Sequence, residues 1–169
     1  MSVRSNQAAK ARSLCAALGA LVLFACSHAP RPVHFFADGR PAKLSEWQVL
    51  YLDGGNLALN DGVVPYDLNT PLFSDYAHKL RTIWMPHGTS AKYSADGNFD
   101  FPVGTIITKT FYYPKPVGAA RDPNAVARTY DQSADFGGDR GRERGLKLAN
   151  VHLIETRILV RRAAGWEAL

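Results

Sequence analysis

The chain has 169 residues, 46% of them hydrophobic, and a formal net charge of +5. That length suits one domain able to bury a core without covalent staples. The positive excess is modest and aperiodic, and part of it sits at Arg4, Lys10 and Arg12, which argues against a nucleic-acid binder.

Those three residues form a basic start, followed by the apolar run Leu14 to Ala25. The run is shorter than the roughly 20 apolar residues of a bilayer span and ends on a small residue before Cys26. This is the layout of a secretory signal peptide over 1–25. Leu23-Phe24-Ala25-Cys26 resembles a bacterial lipobox, whose cysteine takes a diacylglycerol after cleavage in front of it. Cys26 is therefore the expected lipidation site, and Ser27 after it favours the outer membrane. The protein is expected to be exported and held at the periplasmic face of a membrane. Cys15 would leave with the leader, so Cys26 would remain alone. A single cysteine excludes an intrachain disulfide, a Cys-based zinc site and a Cys-x-x-Cys-His haem attachment.

Residues 26–43 are rich in proline and read as a tether, and a β domain is expected over 44–169. Lys43 to Tyr51 is predicted to start it with one short helix, capped by Ser45 with Gln48 three residues on. Trp47, Leu50 and Tyr51 would share its core-facing side. Asp53-Gly54-Gly55-Asn56 ends that element. Gly62 to Ala77 is too rich in turn formers for a helix and too specific in its polar residues for a linker.

Strands follow. Leu80 to Pro86 is a short one stopped by proline. Gly104 to Tyr113 is β-branched and aromatic throughout. Leu153 to Arg162 alternates, with Ile154, Thr156, Ile158 and Val160 on one side and Glu155, Arg157 and Arg161 on the other, the pattern of a half-buried antiparallel strand. Residues 115–150 lack periodicity and are expected to form a long flexible, solvated insertion, with a short strand or turn before Val151. Trp166 to Leu169 opens a returning strand. The sequence ends four residues into it, so the domain is expected to be incomplete at its C-terminus. The fold class is mainly β: an antiparallel β-sandwich or open barrel with one short N-terminal helix.

Three phrases occur in order: Val64-Pro65-Tyr66-Asp67-Leu68-Asn69-Thr70-Pro71-Leu72-Phe73-Ser74-Asp75-Tyr76-Ala77, then Phe101 to Phe111, then Glu155 to Arg162. Together they resemble the N-terminal region of a family of uncharacterised exported bacterial proteins, many described as diheme c-type cytochromes. Leu44-Ser45-Glu46-Trp47 and Gly165-Trp166 fit the same pattern, so the resemblance spans Lys43 to Leu169. It implies the non-haem β portion of a periplasmic redox protein. Haem c is implied only for longer relatives, and no haem ligand in this chain matches a family haem motif.

Chemistry-bearing residues are few. Asp67, Asn69 and Asp75 are hard oxygen ligands of the kind calcium accepts. Their spacing is not that of an EF-hand, no Glu closes the loop, and Asp and Asn also build turns. Turn construction is their expected role, and no metal is assigned. His78, with Asp75 three residues before it, is the best-placed titratable group; Arg81 and Lys109 join it as possible ligand-facing residues. Neither a nucleophile elbow nor a His-Glu-x-x-His helix accompanies them. Trp47, Trp84, Trp166, Tyr66, Tyr76 and Tyr112 could form a sugar-stacking platform, and most are expected in the core.

The functional expectation is a lipid-anchored binding or docking module without its own catalysis and without a cofactor. Its partners would be the membrane, through the anchor, and a periplasmic redox or surface partner, not nucleic acid. The alternative is the N-terminal part of a diheme electron-transfer protein whose haem portion lies outside this chain.

Overall fold

The computed structural model describes residues 31–116, 122, 124–137 and 141–169. The expected signal peptide over 1–25 and the expected lipidation site Cys26 lie outside the described residues. In chain order the elements are helix α1 (Leu44–Trp47) and strands β1 (Leu50–Asp53), β2 (Asn56–Leu59), β3 (Val64–Tyr66), β4 (His78–Trp84) and β5 (Lys92–Tyr93). After them come β6 (Phe99–Asp100), β7 (Ile106–Pro114), β8 (Leu146–Lys147), β9 (Val151–Arg162) and β10 (Gly165–Ala168). The fold is mainly β and sandwich-like; among the described residues every strand pair is antiparallel and no barrel closes.

Helix α1 is a single turn. Glu46 Oε2 accepts from the Lys43 backbone N–H at 3.3 Å, so the start lies at Lys43 and not at Ser45. Gln48 adopts φ 55° in the left-handed region and ends the turn. The helix expected to reach Tyr51 therefore stops at Trp47. Leu50 and Tyr51 belong to β1, which reverses into β2 through Gly54 and Gly55, both with positive φ. A two-residue turn with positive φ at both positions matches the twist of a hairpin, and this pairing overrides the local helical spacing.

A five-stranded sheet runs in the order β10-β9-β7-β4-β3, and a smaller one in the order β1-β2-β8. Strand β3 sits at an edge, where Pro65 removes no needed donor. Successive side chains alternate between faces; on β7 the even-numbered residues are buried and the odd ones half-exposed. Leu80 and Trp84 of β4, Ile106 and Tyr112 of β7, and Ile158 and Val160 of β9 meet Trp47, Leu50, Leu57 and Leu59 in one core. Threonine hydroxyls on the core side of the sheet are paired: those of Thr82 and Thr108 lie 2.6 Å apart and those of Thr110 and Thr156 2.8 Å apart. A bulge between Phe111 and Tyr112 shifts the register against β9. Ile154, expected on the core side, is the residue left unpaired at that bulge and is exposed.

Two segments are more tightly integrated than their sequences suggest. The described part of the 26–43 tether lies against the domain. Val33, Phe35 and Phe36 pack on the core, the His34 backbone N–H donates to the Trp47 carbonyl, and Phe36 meets Trp47 edge-on. Residues 115–150, expected as a solvated insertion, bury Asp135 and Leu146 and supply β8, which pairs with β2. Gly145 makes that approach possible: its φ is 99°, and a Cβ there would collide with the Leu57 carbonyl. No helix among the described residues is long and apolar enough to cross a membrane.

Candidate functional site

Between β3 and β4 the chain folds back over the start of β4. The reversal is a tight turn in which the Ala77 N–H donates to the Ser74 carbonyl at 2.8 Å. Its central residues, Asp75 and Tyr76, have φ of 47° and 63°, a conformation that disfavours a bulky L-residue. Tertiary contacts hold it. The Tyr113 hydroxyl donates to the Asp75 carbonyl at 3.0 Å, and the Tyr76 ring packs against Phe73 and Tyr130.

Beneath this loop, between β4 and residues 129–132, lies a cavity of about 520 Å³. Leu68, Leu72, Phe73 and Tyr76 give it apolar walls, and Lys79 and Arg81 also line it. Both cations are at least nine-tenths buried. Lys79 Nζ donates to the Leu72 carbonyl at 2.8 Å. Burial first, and then the charges of Arg81 and Lys109, press the Lys79 pKa below its ordinary value. Arg81 Nη1 stands 3.8 Å from Asp67 Oδ1. Asp67 is held mainly by Arg142, which reaches both of its carboxylate oxygens.

His78 also contributes to the cavity wall, but its ring is engaged on both sides. Nδ1 lies 2.7 Å from Asp135 Oδ2 and Nε2 lies 2.7 Å from the Thr129 carbonyl. A carbonyl and a carboxylate oxygen both accept, so the doubly protonated ring is the form that satisfies both contacts. Burial opposes that charge; the Asp135 and Thr129 hydrogen bonds and the carboxylates of Asp135 and Asp131 outweigh it, and the His78 pKa is raised. The Tyr112 hydroxyl donates to the same Asp135 oxygen at 2.8 Å. Burial, then the Asp135 charge, drives the Tyr112 pKa far upward, which makes this tyrosine a permanent donor.

Of the expected ligand-facing residues, His78 and Arg81 reach the cavity. Lys109 lies on β7 opposite Arg81, its Nζ 5.1 Å from the Phe111 ring centroid. The Asp75 carbonyl accepts from the Tyr113 hydroxyl, and it is not Asp75 that orients His78 but Asp135, 57 residues beyond the histidine. Asp67 is an ion-pair partner, and Asn69 is exposed. Among the described residues no three His, Cys, Asp or Glu side chains come together in a group that could hold a metal. Trp47, Trp84 and Tyr112 are buried in the core, whereas Trp166 is exposed against Phe101.

Asp135, Thr129, Tyr112 and Arg142 complete the site without any motif that marks them. Asp135 sits in Ser133-Ala134-Asp135-Phe136-Gly137, a string indistinguishable from an ordinary turn. No protein-family model matches the chain, and neither the curated proteins nor the solved structures provide a match.

Proposed function

We propose that this protein is an exported, lipid-anchored β domain that binds or docks a ligand at a membrane surface and performs no catalysis of its own. The state of His78 carries this reading. The histidine nearest the cavity has both ring nitrogens committed, to Asp135 and to the Thr129 carbonyl, and so offers no lone pair to a proton. The other polar side chains lining the cavity include two buried cations, which suit holding a ligand better than activating a nucleophile. The leader over 1–25 and the lipobox-like Leu23-Phe24-Ala25-Cys26 support export and anchoring. The ordered phrases that resemble the cytochrome-like family support a periplasmic setting.

The test combines binding with turnover. In a small-molecule panel followed by amide NMR, the resonances of 67–77 and 129–132 are expected to shift saturably, with every ligand recovered unchanged. Turnover of a panel member that His78→Gln abolishes would refute the reading. For the anchor, Cys26→Ser is expected to abolish palmitate labelling and release the protein from membranes.

The electron-transfer alternative rests on the same three phrases. It would be favoured by a Cys-x-x-Cys-His motif in the reading frame downstream of the Leu169 codon.

A further inference from the structure

Charge on the outer face of the five-stranded sheet is arranged against the usual rule. Arg81 of β4 pairs in register with Lys109 of β7, and Lys109 with Arg157 of β9. Tyr66 of β3 lies opposite Arg81 at the other end of the row. Like charges directly opposite each other destabilise a sheet, and three adjacent strands span only about 10 Å. One step along, Lys79 adds a fourth cation. Lys79, Lys109 and Arg157 all approach the ring of Phe111, at 5.9, 5.1 and 5.0 Å from its centroid.

Compensation within the protein is incomplete. Glu155 pairs with Arg157 at 2.6 Å, and Asp67 is divided between Arg142 and Arg81. Among the described residues neither Lys79 nor Lys109 has a carboxylate within ion-pair distance. The inward face of the same strands shows what a self-sufficient sheet does at these positions, since Thr82 and Thr108 there satisfy each other. The cations begin in the cavity, where Lys79 and Arg81 lie at the base of apolar walls. At the loop, Leu72 and Phe73 are 84% and 64% exposed.

Building on the binding reading above, we propose that the cavity takes a monomeric amphiphilic anion, a phosphate or carboxylate head on an apolar body. Lys79 and Arg81 hold the head, and Lys109 and Arg157 supply the field that draws it in. Leu68, Leu72 and Phe73 cover the body. The opposing cations are then the mark of a site whose neutralising charge arrives with the ligand.

Titration calorimetry at low ionic strength tests this with hexyl phosphate and hexanoate as probes. Hexanol, inorganic phosphate and phosphatidylglycerol vesicles serve as controls. One saturable site is expected for at least one organic anion, tighter than for hexanol or inorganic phosphate. Lys79→Met removes a charge-assisted contact and is expected to weaken binding about ten- to a hundredfold. Lys109→Gln, at a half-exposed position where folding is not at stake, weakens it roughly threefold and flattens its salt dependence. Equal affinity for hexanol, unchanged affinity in both variants, or binding to vesicles alone would overturn the proposal. If hexanol binds the cavity as tightly as the anions do, the amphiphilic-anion proposal falls and the binding reading stands. Chemical conversion of the probes would overturn the binding reading itself.

Discussion

His78 and Asp135 are 57 residues apart in sequence, and their side chains meet at 2.7 Å with both closed off from solvent. The Thr129 carbonyl takes the other ring nitrogen and Tyr112 takes the same carboxylate oxygen. A buried ion pair of this kind fastens the 129–135 segment to the start of β4, and thereby forms one wall of the cavity.

The protonation of His78 makes stability depend on pH, with a definite sign. Its folded pKa is raised above the ordinary 6.5. Its contribution is therefore complete below pH 6.5 and is lost as the pH rises through the folded value. Urea unfolding at a series of pH values should show stability from this source falling above pH 6.5, and His78→Gln should flatten that slope. Nitrogen-15 NMR of the wild-type imidazole is expected to show both nitrogens protonated at pH 6.5.

Removing the partner should cost more than removing the donor. Asp135→Asn leaves a buried imidazolium without its counter-charge and is expected to destabilise by about 3–5 kcal/mol. It should also lower the His78 pKa. Tyr112→Phe removes one hydrogen bond to a carboxylate, a loss of about 2 kcal/mol. Chemical denaturation of the two single variants and the double variant should return a sizeable coupling, because both residues act on the same oxygen.

The threonine pair in the core gives a prediction in which two changes are milder than one. Thr82→Val leaves the Thr108 hydroxyl buried without its partner, at a cost of about 1–3 kcal/mol. Thr82→Val combined with Thr108→Val removes both hydroxyls and should recover most of that loss. A double-mutant cycle from denaturant midpoints checks it.

The docking of residues 31–43 is tested at Phe36. The ring packs edge-on against Trp47, its centroid 5.0 Å away, and is itself only partly buried. Phe36→Ala is expected to cost about 1–2 kcal/mol and to shift tryptophan emission to the red as Trp47 gains water. An unchanged spectrum and midpoint would mean that this segment is a free tether in solution.

The strands were readable to the degree that their residues carried the period of the sheet. β7 and β9 lie close to where alternation and β-branched residues place them, and the returning strand β10 follows its Gly-Trp start. The helix expected over 43–51 gives way to a strand after Trp47, because Leu50 and Tyr51 sit at helical spacing from Trp47 and are equally apolar in a strand. The Gly54-Gly55 hairpin decided between them, and it was a signal present in the sequence. His78, Arg81 and Lys109 stand out in the sequence as charged or titratable residues within strand-forming stretches; His78 and Arg81 line the cavity and Lys109 does not. Asp135 and Arg142 were not recognisable, because residues 115–150 carry no periodicity and their ordering comes from contacts with distant strands.

The sequence by itself determined the mainly β class, the positions of the long strands and, outside the bulge at Ile154, which of their side chains share a face, because these depend on each segment's own period of two. Which residues stand opposite one another depends on register between strands far apart in the chain. Only the tertiary structure set Arg81 against Lys109 and Arg157, and only it brought Asp135 and Thr129 to His78. Those pairings determine where charge accumulates and which protons are held, and the proposed binding site follows from them.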